Sequence, residues 1–213
     1  LRTLLKADSI VAIAWGTALY QLVRAFRPLD HDTNIIIAQM IGSVGARNQD
    51  VDGANLAQEF ARLLRGRYYD LHAPLLVETP ELKNALMLER DVAEVLNLVR
   101  RADIAIVGIG SVASGFSSLV RAGYLHEGDL PGLRRMGVVG DVCARHIDVQ
   151  GKELDIDLNQ RAVGVTLSEL KRIPMVIGVA GGEGKAPAML GALRGGHVDV
   201  LVTDSTAATE LLR

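Results

Sequence analysis

The stretch "VIGVAGGEGKAPAML", Val176 to Leu190, contains the most informative strand-to-helix transition of the sequence. Its apolar first half predicts a buried strand, and the pattern after Lys185 predicts a helix. Glycines between them permit positive φ and close approach of a ligand, and a helix N-terminus attracts anions. The stretch is not a P-loop, because Ala186 stands where a Ser or Thr would bind magnesium. Two interpretations stay open: an anion site, or a tight turn with a solvated charge pair.

The same unit recurs along the chain: an apolar run, a small or polar corner, then a helical pattern. Parallel strands need crossover connections, so this alternation predicts an α/β fold with a mostly parallel open sheet and helices on both faces. No linker or break in composition divides the chain, which predicts one domain over residues 1–213. The corners that follow predicted strands are Gly16-Thr17, Gly42 to Asn48, Gly108 to Ser111, Gly140-Asp141, Gly181 to Lys185 and Thr203-Asp204.

One segment departs from this alternation. "CARHIDVQGKELD", residues 143–155, has two short alternating runs around Gln150-Gly151 and predicts a β-hairpin inserted after Asp141. "YYDLHAPLLVE" predicts a further strand, while Glu81 to Arg101 and His126 to Arg135 predict helices.

The composition is that of a globular protein, with 49% hydrophobic and 23% charged residues. A mean hydropathy of +0.22 fits strands buried on both faces. No signal peptide or membrane-spanning run is found, and the single Cys143 excludes an internal disulfide. These features predict a cytoplasmic protein without membrane association. The net charge of −2 gives no reason to expect nucleic-acid binding by this chain alone.

Ligands of open α/β sheets bind beyond the carboxyl ends of the strands, so the corners hold the candidate site. Lys185 and Arg47 are suited to a phosphate, whereas Asp141 and Glu183 are suited to sugar hydroxyls. Asp141 has a turn-capping alternative, and Arg47 that of a solvated loop residue. The candidate ligand-binding residues are Gly16, Thr17, Gly45, Arg47, Asn48, Gly108, Gly110, Ser111, Asp141, Gly181, Gly182, Glu183 and Lys185.

Other site types find no support. "GIGSVA", Gly108 to Ala113, fits the dinucleotide fingerprint only superficially, because no acidic strand-end partner follows. The five histidines form no cluster with metal-ligand spacing. No histidine is placed to activate Cys143 by a known local signature. The sequence therefore predicts no cofactor, no metal and no catalytic residue.

Four motifs occur in a characteristic order: "AWGTAL", "GARN", "GDVCARHIDVQG" and "IGVAGGEGKAPAMLGALRGGHVDVLVTDSTAA". From about Ile10 to its end, the chain resembles the C-terminal effector-binding domain of SorC-type sugar-binding transcriptional regulators. The resemblance implies a fold shared with ribose-5-phosphate isomerase, glucosamine-6-phosphate isomerase and the CoA-transferases. It also implies a phosphosugar effector that alters DNA binding by a separate N-terminal helix-turn-helix domain. That domain is absent from the sequence, which predicts a fragment.

The resemblance also implies roles for individual residues. Gly16 and Thr17 match a phosphate-contacting turn, and Arg47 matches a second anion contact. Asp141 matches a carboxylate that faces the sugar. Lys185 matches the lysine of a terminal phosphate loop.

Two functions are compatible with these residues. The first is a non-enzymatic sensor, with a sugar or phosphosugar as ligand, further copies of itself as partners in a dimer or tetramer, and DNA reached only through the missing domain. The second is an isomerase-like enzyme that uses Asp141, Glu183 and Lys185 as acid and base. Isomerases of this fold carry additional acidic loop clusters, and "GIGSVASG" offers none. The sensor is therefore the favoured hypothesis.

Overall fold

A computed structural model describes residues 1–45 and 50–213. Within these residues six strands run parallel in the order β3-β2-β1-β4-β7-β8. This is the doubly wound order, and it confirms the predicted mostly parallel α/β sheet. The parallel strands are β1 Ile10–Ile13, β2 Ile36–Gln39, β3 Arg67–Tyr69, β4 Ile104–Ser111, β7 Met175–Val179 and β8 Val200–Val202.

Helices connect the strands and cover the sheet. Because the strand order reverses at β1, right-handed crossovers place helices on opposite faces of the sheet. The helices are α1 Thr17–Ala25, α2 Gly53–Leu64, α3 Pro80–Leu88, α4 Arg90–Val99, α5 Ser118–Arg121, α6 Leu130–Arg135, α7 Asp157–Arg161, α8 Leu167–Leu170, α9 Ala186–Arg194 and α10 Ser205–Leu211. None of the helices described is long and apolar enough to cross a membrane.

Side-chain caps define several helix starts. Asp52 accepts a hydrogen bond from the N–H of Ala54 at α2, and Thr79 accepts one from Leu82 at α3, where Pro80 occupies the first turn. The apolar faces of the helices then pack on the sheet around the fully buried Phe60. Local capping and apolar periodicity thus act together at these positions.

Strand β4 has two different neighbours along its length. Its first part pairs with β1 and β7 in parallel, whereas Ile109 to Ser111 pair antiparallel with β5, Gly140–Val142. Strand β5 continues into β6, Arg145–Ile147, through a two-residue turn. A hairpin is therefore present directly against the end of β4, but it spans residues 140–147 and not the predicted 143–155.

The turn of this hairpin differs from the sequence expectation. Cys143 and Ala144 form it with φ of 54° and 58°. The Gln150-Gly151 region is a second turn, closed by hydrogen bonds between Asp148 and Lys152 and by an isolated bridge between Ile147 and Glu153. Val142 pairs directly with Arg145, and a two-residue hairpin loop favours positive φ at both central residues, here without the glycine or asparagine that usually signals such a turn.

Two other boundaries also differ. The apolar run in "MGVVGD" predicts a parallel strand followed by Asp141. The observed strand is β5, residues 140–142, so Asp141 lies inside an antiparallel strand. In "YYDLHAPLLVE" only the two tyrosines belong to a strand, and isolated bridges at Pro74 and Leu76 follow.

Candidate ligand-binding cleft

A cleft opens at the carboxyl ends of the central strands. It brings together six of the residues predicted for the site, Gly16, Thr17, Gly108, Gly110, Asp141 and Lys185. The remaining lining comes from Ala14, Trp15, Ala18, Ile41, Ile109, Ser118, Cys143, Ala144 and Val179.

The N-terminus of α1 forms one wall of this cleft. Gly16 adopts φ of 132°, and no side chain of the described residues caps the helix. The first turn of α1 contains no acidic residue. The first N–H groups of a helix have no partner within the helix, so Thr17 and Ala18 present donors that no other described residue is shown to bond, together with the positive end of the helix dipole. This wall is suited to an anion.

Lys185 lies at the floor of the cleft, with 8% of its surface exposed. Its Nζ donates a hydrogen bond of 2.8 Å to the carbonyl oxygen of Ile109. Burial lowers the pKa of Lys185, and nearby Arg121 lowers it further, whereas the Asp141 carboxylate raises it. The bond to a fixed carbonyl holds the ammonium group beside β4.

Asp141 faces the backbone of β4 across the antiparallel pair. It lies opposite Gly110, and a Cβ at Gly110 would be 1.9 Å from the Asp141 Oδ1 atom. A side chain at position 110 would force this carboxylate to move from its present position. The glycine is thus explained by the position of Asp141, without reference to a ligand.

The predicted cradle at Gly181 to Lys185 is largely satisfied by the protein itself. The Asp204 carboxylate accepts hydrogen bonds from the N–H of Gly182 at 2.6 Å and from that of Ala207 at 2.8 Å. Hydrogen bonds from Ala207 and Gly182 hold the pKa of Asp204 below its usual range. An internal carboxylate therefore occupies one amide that the sequence assigns to a phosphate.

The glycines of this loop have a packing explanation. A Cβ at Gly182 would lie 2.9 Å from the ring of Phe116, and one at Gly184 would lie 2.6 Å from it. The loop contributes Lys185 to the cleft, but Gly181, Gly182 and Glu183 are not among its lining residues. Glu183 instead faces a separate apolar depression beside Leu190 and Leu211.

Ser111 is buried behind the cleft. Its hydroxyl donates to the carbonyl oxygen of Gly184 at 2.9 Å and accepts from the N–H of Ala113 at 3.1 Å. It therefore fixes the start of α9 against β4. Gly45 has φ of 87° and does not line the cleft. Arg47 and Asn48 lie outside the described residues.

Helix α5 also contributes to the cleft, which was not predicted from the sequence. Ser118, the first residue of α5, lines the cleft. Arg121, the last residue of the same helix, lies close enough to lower the pKa of Lys185. The polar pattern "SSLVR" was the available signal, but the segment follows no strand directly. Only the folded chain brings it to the carboxyl end of β4.

The structure also bears on the chemistry of Cys143. Burial raises the pKa of this thiol to about 12, and the neighbouring Asp141 carboxylate acts in the same direction. A thiol of this kind is a poor nucleophile at neutral pH. Among the described residues no group of three or more His, Cys, Asp or Glu side chains could hold a metal ion.

Comparison with known proteins identifies the family. The family model described as "Putative sugar-binding domain" matches residues 1–213. The transcriptional regulator LsrR of Escherichia coli O157:H7 is 32% identical over 215 residues, which cover 100% of this chain and 65% of that protein. The deoxyribonucleoside regulator of Bacillus subtilis strain 168 is 28% identical over 207 residues, which cover 97% of this chain and 65% of that protein.

Solved structures agree with this assignment. The full-length sorbitol operon regulator SorC from Klebsiella pneumoniae has a TM-score of 0.92 and 26% identity, over 100% of this chain and 69% of that chain. A DeoR family transcriptional regulator from Listeria monocytogenes has a TM-score of 0.88 and 30% identity, over 99% of this chain and 81% of that chain.

These relatives are transcriptional regulators. The chain spans only 64%, 62% and 65% of the length of three of its curated relatives. The chain belongs to the sugar-binding domain family of the SorC, DeoR and LsrR type of regulator.

Proposed function

We propose that this chain is the effector-sensing domain of a transcriptional regulator and that its cleft binds a sugar phosphate. The observation that carries the proposal is that the uncapped N-terminus of α1 opens onto the same cleft as Lys185 and Asp141. One side of the cleft suits an anion, and the other offers a carboxylate acceptor. A phosphosugar has both of the complementary groups.

The ligand would be oriented by this division of charge. Its phosphate accepts hydrogen bonds from the first turn of α1 and pairs with Lys185, and Arg121 adds positive potential. The Asp141 carboxylate repels the phosphate and accepts hydrogen bonds from the sugar hydroxyls. The names of the sorbitol operon and deoxyribonucleoside regulators support a ligand built on a sugar or polyol.

The isomerase-like alternative loses one of its three residues. Glu183 lines a different depression, so only Asp141 and Lys185 of the three proposed acid–base residues line the cleft. Isomerisation needs an acid and a base placed around one reacting carbon. Binding without turnover is therefore the better proposal, and it agrees with the regulator relatives.

The output would be altered DNA binding through a domain outside this chain. A ligand shifts such an equilibrium only by its differential affinity for two states of the regulator. The hairpin β5–β6 is the element through which a bound sugar would act, because it carries Asp141 and packs on α9.

The test is a thermal-shift screen of sugar phosphates, free sugars, polyols and inorganic phosphate, with product analysis of every hit. A ligand that binds only the native state raises Tm by mass action. We expect stabilisation by a phosphosugar that is recovered unchanged. Asp141→Asn should reduce the preference among hydroxyl epimers about 10-fold in calorimetry, because each such hydrogen bond contributes about 1.4 kcal/mol. Conversion of a hit by the wild type, abolished in Asp141→Asn, would instead establish the enzyme.

A further inference from the structure

The two-residue turn of the β5–β6 hairpin forms part of the cleft wall. Cys143 and Ala144 line the cleft with 4% and 1% of their surface exposed. Both have positive φ, without the glycine or asparagine that adopts this backbone conformation most easily. Backbone of this kind persists only where the surrounding structure holds it in place. The turn is therefore a fixed and buried part of the wall.

The backbone N–H groups of this turn have no acceptor in the part of the chain that the structure describes. Neither Cys143 nor Ala144 donates its N–H to a carbonyl or a side chain within residues 1–45 and 50–213. Buried N–H groups without a partner are rare, because the hydrogen bond to water that they lose on burial is not replaced. A molecule in the cleft is the acceptor that their position in the wall allows.

The turn is anchored from behind by Arg145. The buried guanidinium of this residue donates to the carbonyl oxygens of Asn159, Ala162 and Gly164. The N–H of His146 adds a second anchor, because it donates to the Asn159 Oδ1 atom at 2.7 Å. These bonds join the hairpin to the segment that follows it. Groups that are fixed before a ligand arrives lose little conformational freedom on binding.

The charges beside the turn favour a hydroxyl over a second anion. Burial is the main cause of the raised pKa of Cys143, and of the two charged groups that also act on it, Asp141 raises the pKa by more than Arg145 lowers it. The turn therefore has no surplus of positive potential for a phosphate. A hydroxyl both donates and accepts hydrogen bonds, so it can donate to the Asp141 carboxylate and accept from the turn. An ether oxygen or a fluorine has no hydrogen to donate to the carboxylate.

We propose that the N–H groups of Cys143 and Ala144, together with the Asp141 carboxylate, form a subsite for one hydroxyl group of the effector. The inference rests on the proposed function and adds a requirement to it. The phosphate lies at α1 and Lys185, and the sugar carries a free hydroxyl where it reaches the hairpin. A ligand without this hydroxyl leaves buried polar groups unpaired, which costs more than the lost bond alone. When no sugar is bound, a water molecule takes the place of the hydroxyl.

The first test needs no sugar and is a crystal structure that resolves ordered water. We expect a water oxygen about 2.7–3.2 Å from the backbone nitrogen of Cys143 or Ala144 and at a similar distance from a carboxylate oxygen of Asp141. The absence of a water that joins the turn to Asp141 would overturn the subsite, and so would N–H groups that bond another part of the chain.

The second test removes one N–H without changing a side chain. Incorporation of lactic acid in place of Ala144 converts this backbone amide into an ester, and calorimetry then uses D-sorbitol 6-phosphate and inorganic phosphate as probes. Affinity for sorbitol 6-phosphate should fall about 10-fold, because one hydrogen bond is lost, whereas affinity for inorganic phosphate should not change. Circular dichroism and Tm establish that the ester protein is folded.

The matched control is the same replacement at Ala7. This residue is exposed and does not line the cleft, and its N–H bonds no described residue, so both affinities should stay unchanged. Wild-type affinity of the Ala144 ester for sorbitol 6-phosphate would overturn the subsite, and an equal loss for both probes would mean that the turn binds the phosphate. If the wild type binds neither probe, the anion site of the proposed function fails, and the position of the water alone decides on the subsite.

Discussion

The two glycine-containing corners at the starts of α1 and α9 look alike in sequence and differ in the folded protein. At α1, the described residues provide no side-chain cap for the helix, and the corner lines the cleft. At α9, Asp204 takes the N–H of Gly182, and Phe116 fills the space beside Gly184. Glycine density therefore does not distinguish a ligand-binding corner from an internally satisfied one. The distinguishing feature is whether another part of the chain occupies the amides.

Lys185 is the one residue of the α9 corner assigned to the ligand, so its replacement should have the largest effect. Lys185→Met removes the ammonium group and keeps the apolar stem, and phosphosugar affinity should fall about 100-fold by calorimetry, a loss of about 2.7 kcal/mol. Glu183→Gln, two residues away but outside the cleft, is the control and should bind normally. Equal losses in both variants would mean that the whole corner contacts the ligand.

A substitution at Thr17 tests the α1 corner by adding a negative charge, whereas Lys185→Met removes a positive one. Thr17→Glu places a carboxylate in the first turn, where it competes with the phosphate, and affinity should fall about 10- to 30-fold. The same change should leave Tm unchanged or slightly raised, because an acidic residue is favourable at a helix N-terminus. Thr17→Gln is the neutral control. Unaltered phosphosugar binding by Thr17→Glu would show that the phosphate does not bind at the N-terminus of α1.

Gly184 tests whether the α9 glycines serve packing. Gly184→Ala places a methyl group 2.6 Å from the Phe116 ring, so the free energy of unfolding should fall by about 1–2 kcal/mol in urea denaturation. In a Phe116→Ala background, Gly184→Ala should be nearly neutral for the free energy of unfolding, because the clash with the ring is then absent. Additive effects in the double variant would show that Gly184 is needed for another reason.

Asp204 gives the smallest effect and separates stability from binding. Asp204→Ala frees the N–H of Gly182 and uncaps α10, and Tm should fall by about 2–4 °C with little change in phosphosugar affinity.

The same carboxylate predicts a pH dependence. Its pKa is lowered in the folded state, so its stabilising contribution is complete above the unfolded pKa of about 3.9 and is lost as the pH falls through the folded value. The Tm difference between wild type and Asp204→Ala should therefore shrink below about pH 4. A difference that persists at pH 2 would contradict this assignment.

The sequence predicted most of the sheet, because its signals are local. Apolar runs, the corners after them and the amphipathic helices between them identify an alternating α/β chain. Gly16 and Lys185 follow from the rule that ligands bind at the carboxyl ends of parallel strands, whereas Asp141 reaches the cleft from inside an antiparallel strand. The resemblance to SorC-type regulators extended this to a family, which the comparisons confirm.

Other features depend on residues far apart in the chain. The hairpin β5–β6 pairs with the distant strand β4, and the hydrogen bond from the N–H of Gly182 to the Asp204 carboxylate joins residues 22 positions apart. Ser118 reaches the cleft only because α5 folds back over β4.

What the amino-acid sequence determined by itself was the alternation of strands and helices and the set of corners that are candidates for a ligand site. Those depend on hydrophobic periodicity and on glycine, both of which act within a few residues. The tertiary structure alone decided which corner remains open. That outcome depends on whether distant side chains occupy the corner. At α9 the Asp204 carboxylate bonds a backbone amide, and the Phe116 ring packs against the glycines.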